Sequence, residues 1–362
     1  MATTSSSTVG MGNLSSLLLP SRLGSNSGDR FFHLKATTSR FIPRTIKHAF
    51  AAARSIRASS TALVETKPDF VLDEKKLENC KNTLACPICY VPLIYNADSS
   101  LSAESAMRPN LQCRNCRKVY SGNDTHLDLT ITSGSKGYGE VRPASTELFR
   151  FSLVSFLYER GWRQSFSIWG GFPGPEKEFE IIKDYLNPVL GGNIVDASCA
   201  SGMFSRLFAK SGLFSLVVAL DFSETMLQQC SEFIKQEENF PKEKIVLVRA
   251  DISRLPFASG SVDAVHAGAA LHCWPSPSVA VAEISRVLRP GGMFVATTYI
   301  LDGPFAFVPL LRPLRQNVAQ FSGSHIFLSN RELEDLCTAC GLVDFKFTRN
   351  RMFIMISAMK PK

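Results

Sequence analysis

The sequence predicts an α/β protein built on a mostly parallel sheet with helices on both faces, preceded by a small cysteine-bearing module. Three observations carry this expectation. Four short apolar runs recur between residues 193 and 265, and three of them end in an acid. A turn of small side chains, residues 198–202, follows the first run directly. Two CxxC turns, Cys86/Cys89 and Cys113/Cys116, stand ahead of that region with 23 residues between them.

Taken from the amino terminus, the first element is a leader. Residues 1–58 hold eight basic residues, a single acid (Asp29) and many Ser and Thr. Basic, hydroxylated and acid-poor composition is that of an organelle transit peptide, although a disordered tail has similar chemistry. The Ser-rich opening points to the chloroplast, and Ile56-Arg57-Ala58 resembles a plastid processing site. The leader carries +7 of the chain's formal +8, so the remainder is near +1. The basic balance is therefore a targeting signal and does not argue for a polyanionic partner. The roughly 300 residues that remain suffice for one large core and a small extra module. No apolar run approaches the ~20 residues that cross a bilayer, so a soluble or peripheral protein is expected.

Residues 59–79 read as a linker and 80–130 as the cysteine module. Two CxxC turns can set four thiolates, Cys86, Cys89, Cys113 and Cys116, tetrahedrally around one Zn²⁺ at about 2.3 Å. Leu84, Val91, Leu93, Leu111, Val119 and Tyr120 flank the turns, as in the short strands of a zinc ribbon. Two disulfides or four free thiols are the alternatives. A ~50-residue module has little core of its own, so the metal is expected to supply much of its stability. The third pair, Cys337 and Cys340, ends an amphipathic segment before Gly341 and reads as core. Cys199, Cys230 and Cys273 read the same way.

Residues 131–180 form a joint and a helical cap. Its apolar positions from Leu148 to Leu157 fit a buried helix, and Trp169 to Pro175 follow. Residues 181–362 make the main domain. Its first strand, 193–197, ends in Asp196 and runs into the small-residue turn, where backbone can approach a ligand. The next helix, roughly 201–211, turns free N–H groups and the positive end of its dipole to the same place. Asp221, 19 residues past Gly202, closes the second strand and can accept both hydroxyls of a ribose. Asp251 closes the third and can accept from an adenine amine. Ser223 caps a helix to about Gln236, a further helix spans about 278–288, and residues 342–348 and 352–359 make a final pair of strands. These features describe an adenosine site on a Rossmann-like sheet. The G-x-G-x-x-G of a dinucleotide fold is absent.

As a set, these motifs resemble the class I S-adenosylmethionine-dependent methyltransferases over roughly residues 180–362. Residues 196–202 resemble the family's glycine-rich first motif, 218–223 its acidic second, 250–252 its third, and 288–294 the turn into its fifth strand. The resemblance implies a seven-stranded, mostly parallel sheet with an antiparallel last strand. It also implies S-adenosyl-L-methionine as cofactor. Asp196, Ser198, Ala200 and Gly202 would lie at the methionine end, Asp221 and Phe222 at the ribose, Asp251 and Ile252 at the adenine, and Gly268 at the rim. One departure is plain: Ser198 and Ala200 stand where the family usually carries glycine.

His272, in the segment 267–274 after the fourth strand, is the candidate base where a phenol or enol must lose a proton; a structural histidine is the alternative. His266 reads as core. The insert 303–323 is apolar and proline-punctuated where the family places a substrate lid, which suits an apolar acceptor or a lipid surface.

Three functions follow. The chain resembles UbiE-like chloroplast methyltransferases, including plastoglobule types, which implies an apolar plastid acceptor such as a quinone or prenyl-phenol. A zinc ribbon before a class I domain also resembles bacterial rRNA guanine methyltransferases, with Arg108, Arg114, Arg117 and Lys118 available to phosphates. The two missing glycines allow a catalytically silent binding module.

Overall fold

The computed structural model describes residues 83–95, 110–134, 170–300 and 327–362. The leader, the linker, the helix near 146–160 and the lid 303–323 lie outside the described residues. The chain divides into two units, Met1–Leu63 and Val64–Lys362, and everything below belongs to the second.

The main sheet is assembled from parallel strands, most of them joined by helices. They are β5 (Asn193–Ala197), β6 (Leu216–Asp221), β7 (Ile245–Arg249), β8 (Val262–Ala267) and β9 (Leu288–Tyr299). β10 (Val343–Asn350) and β11 (Phe353–Met359) complete it, with β11 running antiparallel between β9 and β10. The order across the sheet is β10-β11-β9-β8-β5-β6-β7, with a short strand of residues 127–128 beyond β7. Near-continuous Val, Ile, Leu and Ala in β5 to β8 fits strands covered on both faces, and β7 is buried at every position. The start of the β5–β8 pair is pinned by reciprocal bonds: Asn193 N–H donates to Asp263 Oδ2 at 2.7 Å, and Asp263 N–H to Asn193 Oδ1 at 3.0 Å.

Helices α1 (Pro175–Leu186), α2 (Met203–Ser211) and α3 (Glu224–Gln236) bury Ile182, Leu186, Phe204, Phe208, Leu227 and Ile234 against one face. The Ser223 hydroxyl caps α3 by accepting from Met226 N–H, which fixes where that helix starts. Helices α4 (Pro277–Val287) and α5 (Asn330–Ala339) cover part of the other face through Ala280, Ile284, Leu333 and Cys337. Ser329 and Glu332 close a reciprocal capping box at the start of α5. This box satisfies two leading backbone donors.

The rest of that second face holds the main difference from the sequence expectation. The cysteine module comprises β1 (Leu93–Tyr95), β2 (Asn110–Cys113) and β3 (Val119–Ser121), paired antiparallel. It is not a separate body beyond a joint. Leu84, Leu93, Leu111 and Tyr120 share one core cluster with Val218, Leu220, Val246, Val248 and Phe257 of the main domain. The chain then enters β4 (Leu127–Asp128), which pairs parallel with β7 as an eighth strand, where seven were expected.

The seam is hydrogen-bonded as well as apolar. Ala85 N–H donates to Pro256 O at 2.8 Å, Ala258 N–H to Thr83 O at 3.0 Å, and Leu129 N–H to Arg249 O at 2.9 Å. From α4, the Arg286 guanidinium lies 4.1 Å from the centre of the Tyr90 ring and donates to Leu255 and Phe257 carbonyls. A buried Leu or Phe contributes roughly 1.5–3 kcal/mol, so the shared core adds to the stability that a metal would lend the module. Among the described residues no helix is long and apolar enough to cross a membrane.

Candidate functional site

The carboxyl ends of β5 to β8 form one rim, and the site is built there from three loops. The turn after β5 carries Ser198 at φ 59°, Ala200 at φ 51° and Gly202 at φ 78°. All three occupy the left-handed region that normally selects glycine, at about 1 kcal/mol or more for each side chain present. Gly202 alone has no alternative, since a Cβ there would lie 2.1 Å from Cys230 Sγ on α3. The other two are held by partners. Ala200 N–H donates to Asp221 Oδ2 at 2.8 Å, and the Ser198 hydroxyl accepts from the Trp274 indole at 3.0 Å. Behind this turn α2 begins at Met203 with no side-chain cap, so the positive end of its dipole faces the same place.

Asp221 sits at the end of β6 and accepts Ser223 N–H at 2.8 Å on its other oxygen. Burial pushes its pKa up from 3.8 to about 6, against the lowering by the Ser223 and Ala200 amides. Each oxygen keeps a further lone pair, so the carboxylate can still accept two ribose hydroxyls. Asp251 binds Ser253 N–H and its hydroxyl through one oxygen, each at 2.8 Å. Its other oxygen has no hydrogen bond among the described residues, and Ile252 lies beside it, buried. Phe222 follows Asp221, with the Arg249 guanidinium 5.2 Å from its ring centre. Gly268 follows β8, where an added Cβ would come within 3.1 Å of the Phe204 ring. The structure thus gathers Ser198, Ala200, Gly202, Asp221, Phe222, Asp251, Ile252 and Gly268 around the strand ends. These residues fit an adenosine cofactor in kind: a ribose acceptor, a spare carboxylate oxygen near the adenine side, and uncapped amides for the amino-acid carboxylate.

Asp196 is placed differently from the expectation of a residue at the methionine end. It is 2% exposed, and both oxygens are taken within the protein. One accepts the Ser205 hydroxyl at 2.5 Å and the other pairs with His266 Nδ1 at 2.7 Å. Asp196 therefore ties α2 and β8 together beneath the turn, supporting the loop from below. His266 is core, as expected, and lies in register with Asp196 across β5 and β8.

His272 lies in a short helical turn after β8 and is 6% exposed. Its Nδ1 pairs with Thr298 Oγ1 at 3.1 Å. Its ring stacks on Phe327 with centroids 5.9 Å apart and meets Tyr299 edge-on at 5.2 Å. Phe172 packs on Tyr299 at 4.8 Å. This end of the rim is thus aromatic and tightly enclosed. Sequence reasoning gave Trp274, Tyr299 and Phe327 no individual role. Trp274, two residues past His272, was the most accessible signal of the three.

The four cysteine sulfurs of the module lie within 4.8 Å of one another. Cys86 and Cys116 are 3.7 Å apart. Four ligands at 2.3 Å in a tetrahedron stand about 3.8 Å apart, whereas a disulfide needs about 2.05 Å. The set therefore fits a Zn²⁺ and does not form the two bridges of the alternative reading. Tyr120 hydroxyl lies 3.2 Å from Cys86 Sγ. Burial and the Cys86 sulfur push that phenol well above its ordinary range, so it stays protonated and can donate to the sulfur. Of the cations considered for RNA, Lys118 donates to Ile131 O at 2.6 Å, while Arg114 and Arg117 are exposed. Arg108 lies outside the described residues.

Comparisons with known proteins agree with this fold. Residues 195–296 match the family described as Methyltransferase domain. An uncharacterized methyltransferase of Arabidopsis thaliana, labelled chloroplastic, is 68% identical over 81% of this chain and 83% of its own length. A second Arabidopsis thaliana methyltransferase with the same label is 48% identical over 86% of this chain and 89% of its own. Demethylmenaquinone methyltransferase of Staphylococcus haemolyticus is 32% identical over 40% of this chain and about half of its own length, 52%. With a Rossmann-like sheet, the adenosine-type rim and two relatives matched along most of their length, this chain belongs to the class I S-adenosylmethionine-dependent methyltransferases.

Proposed function

We propose that the protein is a plastid methyltransferase acting on an apolar small molecule such as a quinone or prenyl-phenol, with one structural Zn²⁺ in its cysteine module. The observation that carries the substrate class is the aromatic cluster of His272, Tyr299 and Phe327, with the Trp274 indole nearby on Ser198. An apolar ring suits such a wall better than a charged or strongly hydrated acceptor. The partial similarity to demethylmenaquinone methyltransferase supports the same class. The chloroplastic labels of the two plant relatives, with the basic leader, support the compartment.

When bound, the cofactor supplies an electrophilic methyl group on sulfur. The chain's own residues supply position and dryness. Asp221 accepts the ribose hydroxyls, Asp251 takes the adenine amine, and the amides at the start of α2 face the amino-acid carboxylate. The aromatic wall excludes water, and His272 Nε2 is the atom assigned to take a phenolic proton. Thr298, bonded to Nδ1, then fixes the orientation of the ring.

The test is calorimetric titration of S-adenosylmethionine, then transfer of labelled methyl to demethylated quinones chemically reduced to their quinols and to rRNA in parallel. Transfer to the quinol is expected. Transfer to rRNA with strongly salt-dependent binding overturns the substrate class in favour of the RNA reading. Binding without transfer to any acceptor supports the silent module. Zinc is checked by elemental analysis, with about one per chain expected and loss in Cys86→Ser. A full-length fusion retained in the cytosol contradicts the plastid assignment.

A further inference from the structure

Arg249, the last residue of β7, joins the two proposed sites. It lies in register with Asp221 of β6 on one side and with Asp128 of β4 on the other. Its side chain is only 9% exposed. Its Nε donates to the Phe222 carbonyl at 3.2 Å, and Nη1 pairs with Asp128 Oδ2 at 3.0 Å and more loosely with Glu224 at 3.5 Å. The backbone repeats the link, since Ala250 N–H donates to the Asp221 carbonyl at 3.1 Å and Leu129 N–H to the Arg249 carbonyl at 2.9 Å. One buried guanidinium therefore holds the Asp221–Phe222 loop and Asp128 together.

Asp128 depends on the cysteine module for its place. β4 is two residues long, too short for its ladder alone to hold it against β7. It is held from behind. Gly122, just after β3, bridges to Leu127, and Asn123 N–H donates to His126 O at 2.9 Å. Lys118, two residues past Cys116, anchors the segment after β4 through Ile131 O. Leu127 and Leu129 pack in the cluster that contains Cys86 and Cys113. The side chain is oriented locally, as Asp128 Oδ1 accepts the Thr130 amide at 3.0 Å and its hydroxyl at 2.7 Å.

We propose that the Asp128–Arg249 pair couples the cysteine module to the adenosine end of the cofactor site. Zinc held by the four cysteines thereby strengthens cofactor binding, and bound cofactor strengthens zinc binding by the same factor. Asp128 and Arg249 are positioning residues that act through Phe222 and Asp221. When the module loosens, Asp128 leaves, and the buried guanidinium turns toward Glu224, whose side chain is 49% exposed. The Phe222 carbonyl then loses its donor. The inference rests on the cofactor and zinc sites proposed above.

The deciding experiment uses the full chain and measures two affinities. Zinc affinity is read by equilibrium competition with a chromophoric chelator, with and without saturating S-adenosylhomocysteine. Wild-type protein is expected to hold zinc about tenfold more tightly with the nucleoside present, and Asp128→Asn to show a ratio near one. By calorimetry, zinc-loaded Asp128→Asn should bind S-adenosylhomocysteine about tenfold more weakly at unchanged stoichiometry. The same loss is expected for 5′-methylthioadenosine, which lacks the amino-acid end. A merely structural defect would lower the stoichiometry and leave Kd alone, and that result overturns the proposal. So does a wild-type ratio of one, which decides the matter even if the variant does not fold. Wild-type protein that binds no S-adenosylhomocysteine instead overturns the functional reading itself.

Discussion

The two ends of the cofactor rim are held by different means. At the ribose and adenine end, charged side chains take backbone donors: Asp221 accepts from Ala200 and Ser223, Asp251 from Ser253, and Arg249 braces the Phe222 carbonyl. At the methionine end, the turn is a run of left-handed residues without the usual glycines. It is kept in place by packing against Cys230, by the Asp196–Ser205 bond beneath it, by one indole bond to Ser198 and by a single amide bond from Ala200 to Asp221 at the other end. Hydrogen bonds to amides set the shape of the first end. The second has no room for a Cβ at Gly202 and is strained at Ser198 and Ala200. Strain of this kind persists only where surrounding contacts over-determine the backbone, and here those contacts are named.

Five substitutions sharpen that contrast. The largest effect is expected at the packed end. Gly202→Ala places a methyl on Cys230 Sγ at positive φ and should lower unfolding stability by about 3 kcal/mol in a denaturant titration. An unchanged midpoint would show that α2 and α3 can separate freely, contrary to the packing described.

Next comes the bonded end. Asp221→Ala should weaken S-adenosylhomocysteine binding by roughly 1.5–3 kcal/mol, or about ten- to a hundredfold. The folded protein should survive. Wild-type affinity should also fall as pH drops through about 6, because the acceptor carboxylate protonates there. The sign for stability is opposite. The folded pKa is raised above 3.8, so the contribution of Asp221 to cofactor-free stability is present below that value and lost as pH rises through about 6. Cofactor affinity that stays flat between pH 7 and 5 argues against Asp221 as the ribose acceptor.

A smaller effect belongs to the indole. Trp274→Phe removes a single hydrogen bond to Ser198 and should cost about 1 kcal/mol in cofactor affinity. Binding of 5′-methylthioadenosine should hardly change, since it does not reach the methionine end. Equal losses for both ligands would remove the distinction between the ends. The smallest effect is Ala200→Gly, where relief of left-handed strain is offset by the greater freedom of glycine in the unfolded chain. The midpoint should move by less than about 0.5 kcal/mol. Ser198→Gly should instead lower stability, because it also discards the Trp274 bond.

Legibility from sequence followed the range of the interactions. The strands and the acids at their ends were readable, because apolar runs and terminal carboxylates are local. Asp221 and Asp251 were found at the rim for that reason. Asp196 was misplaced because its partners, Ser205 and His266, are nine and seventy residues away, and only the parallel register of β5 with β8 turns its carboxylate inward. His272 was named by its position after the fourth strand, but its enclosure depends on Phe327, which follows it by more than fifty residues. Arg249 was given no role in the sequence analysis. Nothing in residues 245–250 marks it as a bridge, because its partners Asp128, Phe222 and Glu224 lie on β4, just after β6 and on α3.

The sequence by itself determined the α/β alternation, the helix start at Ser223 and the four-cysteine set, because periodicity, capping and ligand spacing act over a few residues. The tertiary structure decided that the cysteine module covers a face of the sheet and lends it an eighth strand. It also decided that a two-residue β4 brings Asp128 to Arg249 and so to the Asp221–Phe222 loop. A strand that short has no periodicity to detect. Its place is set by apolar surface buried on both sides and by a charge that only the assembled sheet brings within reach.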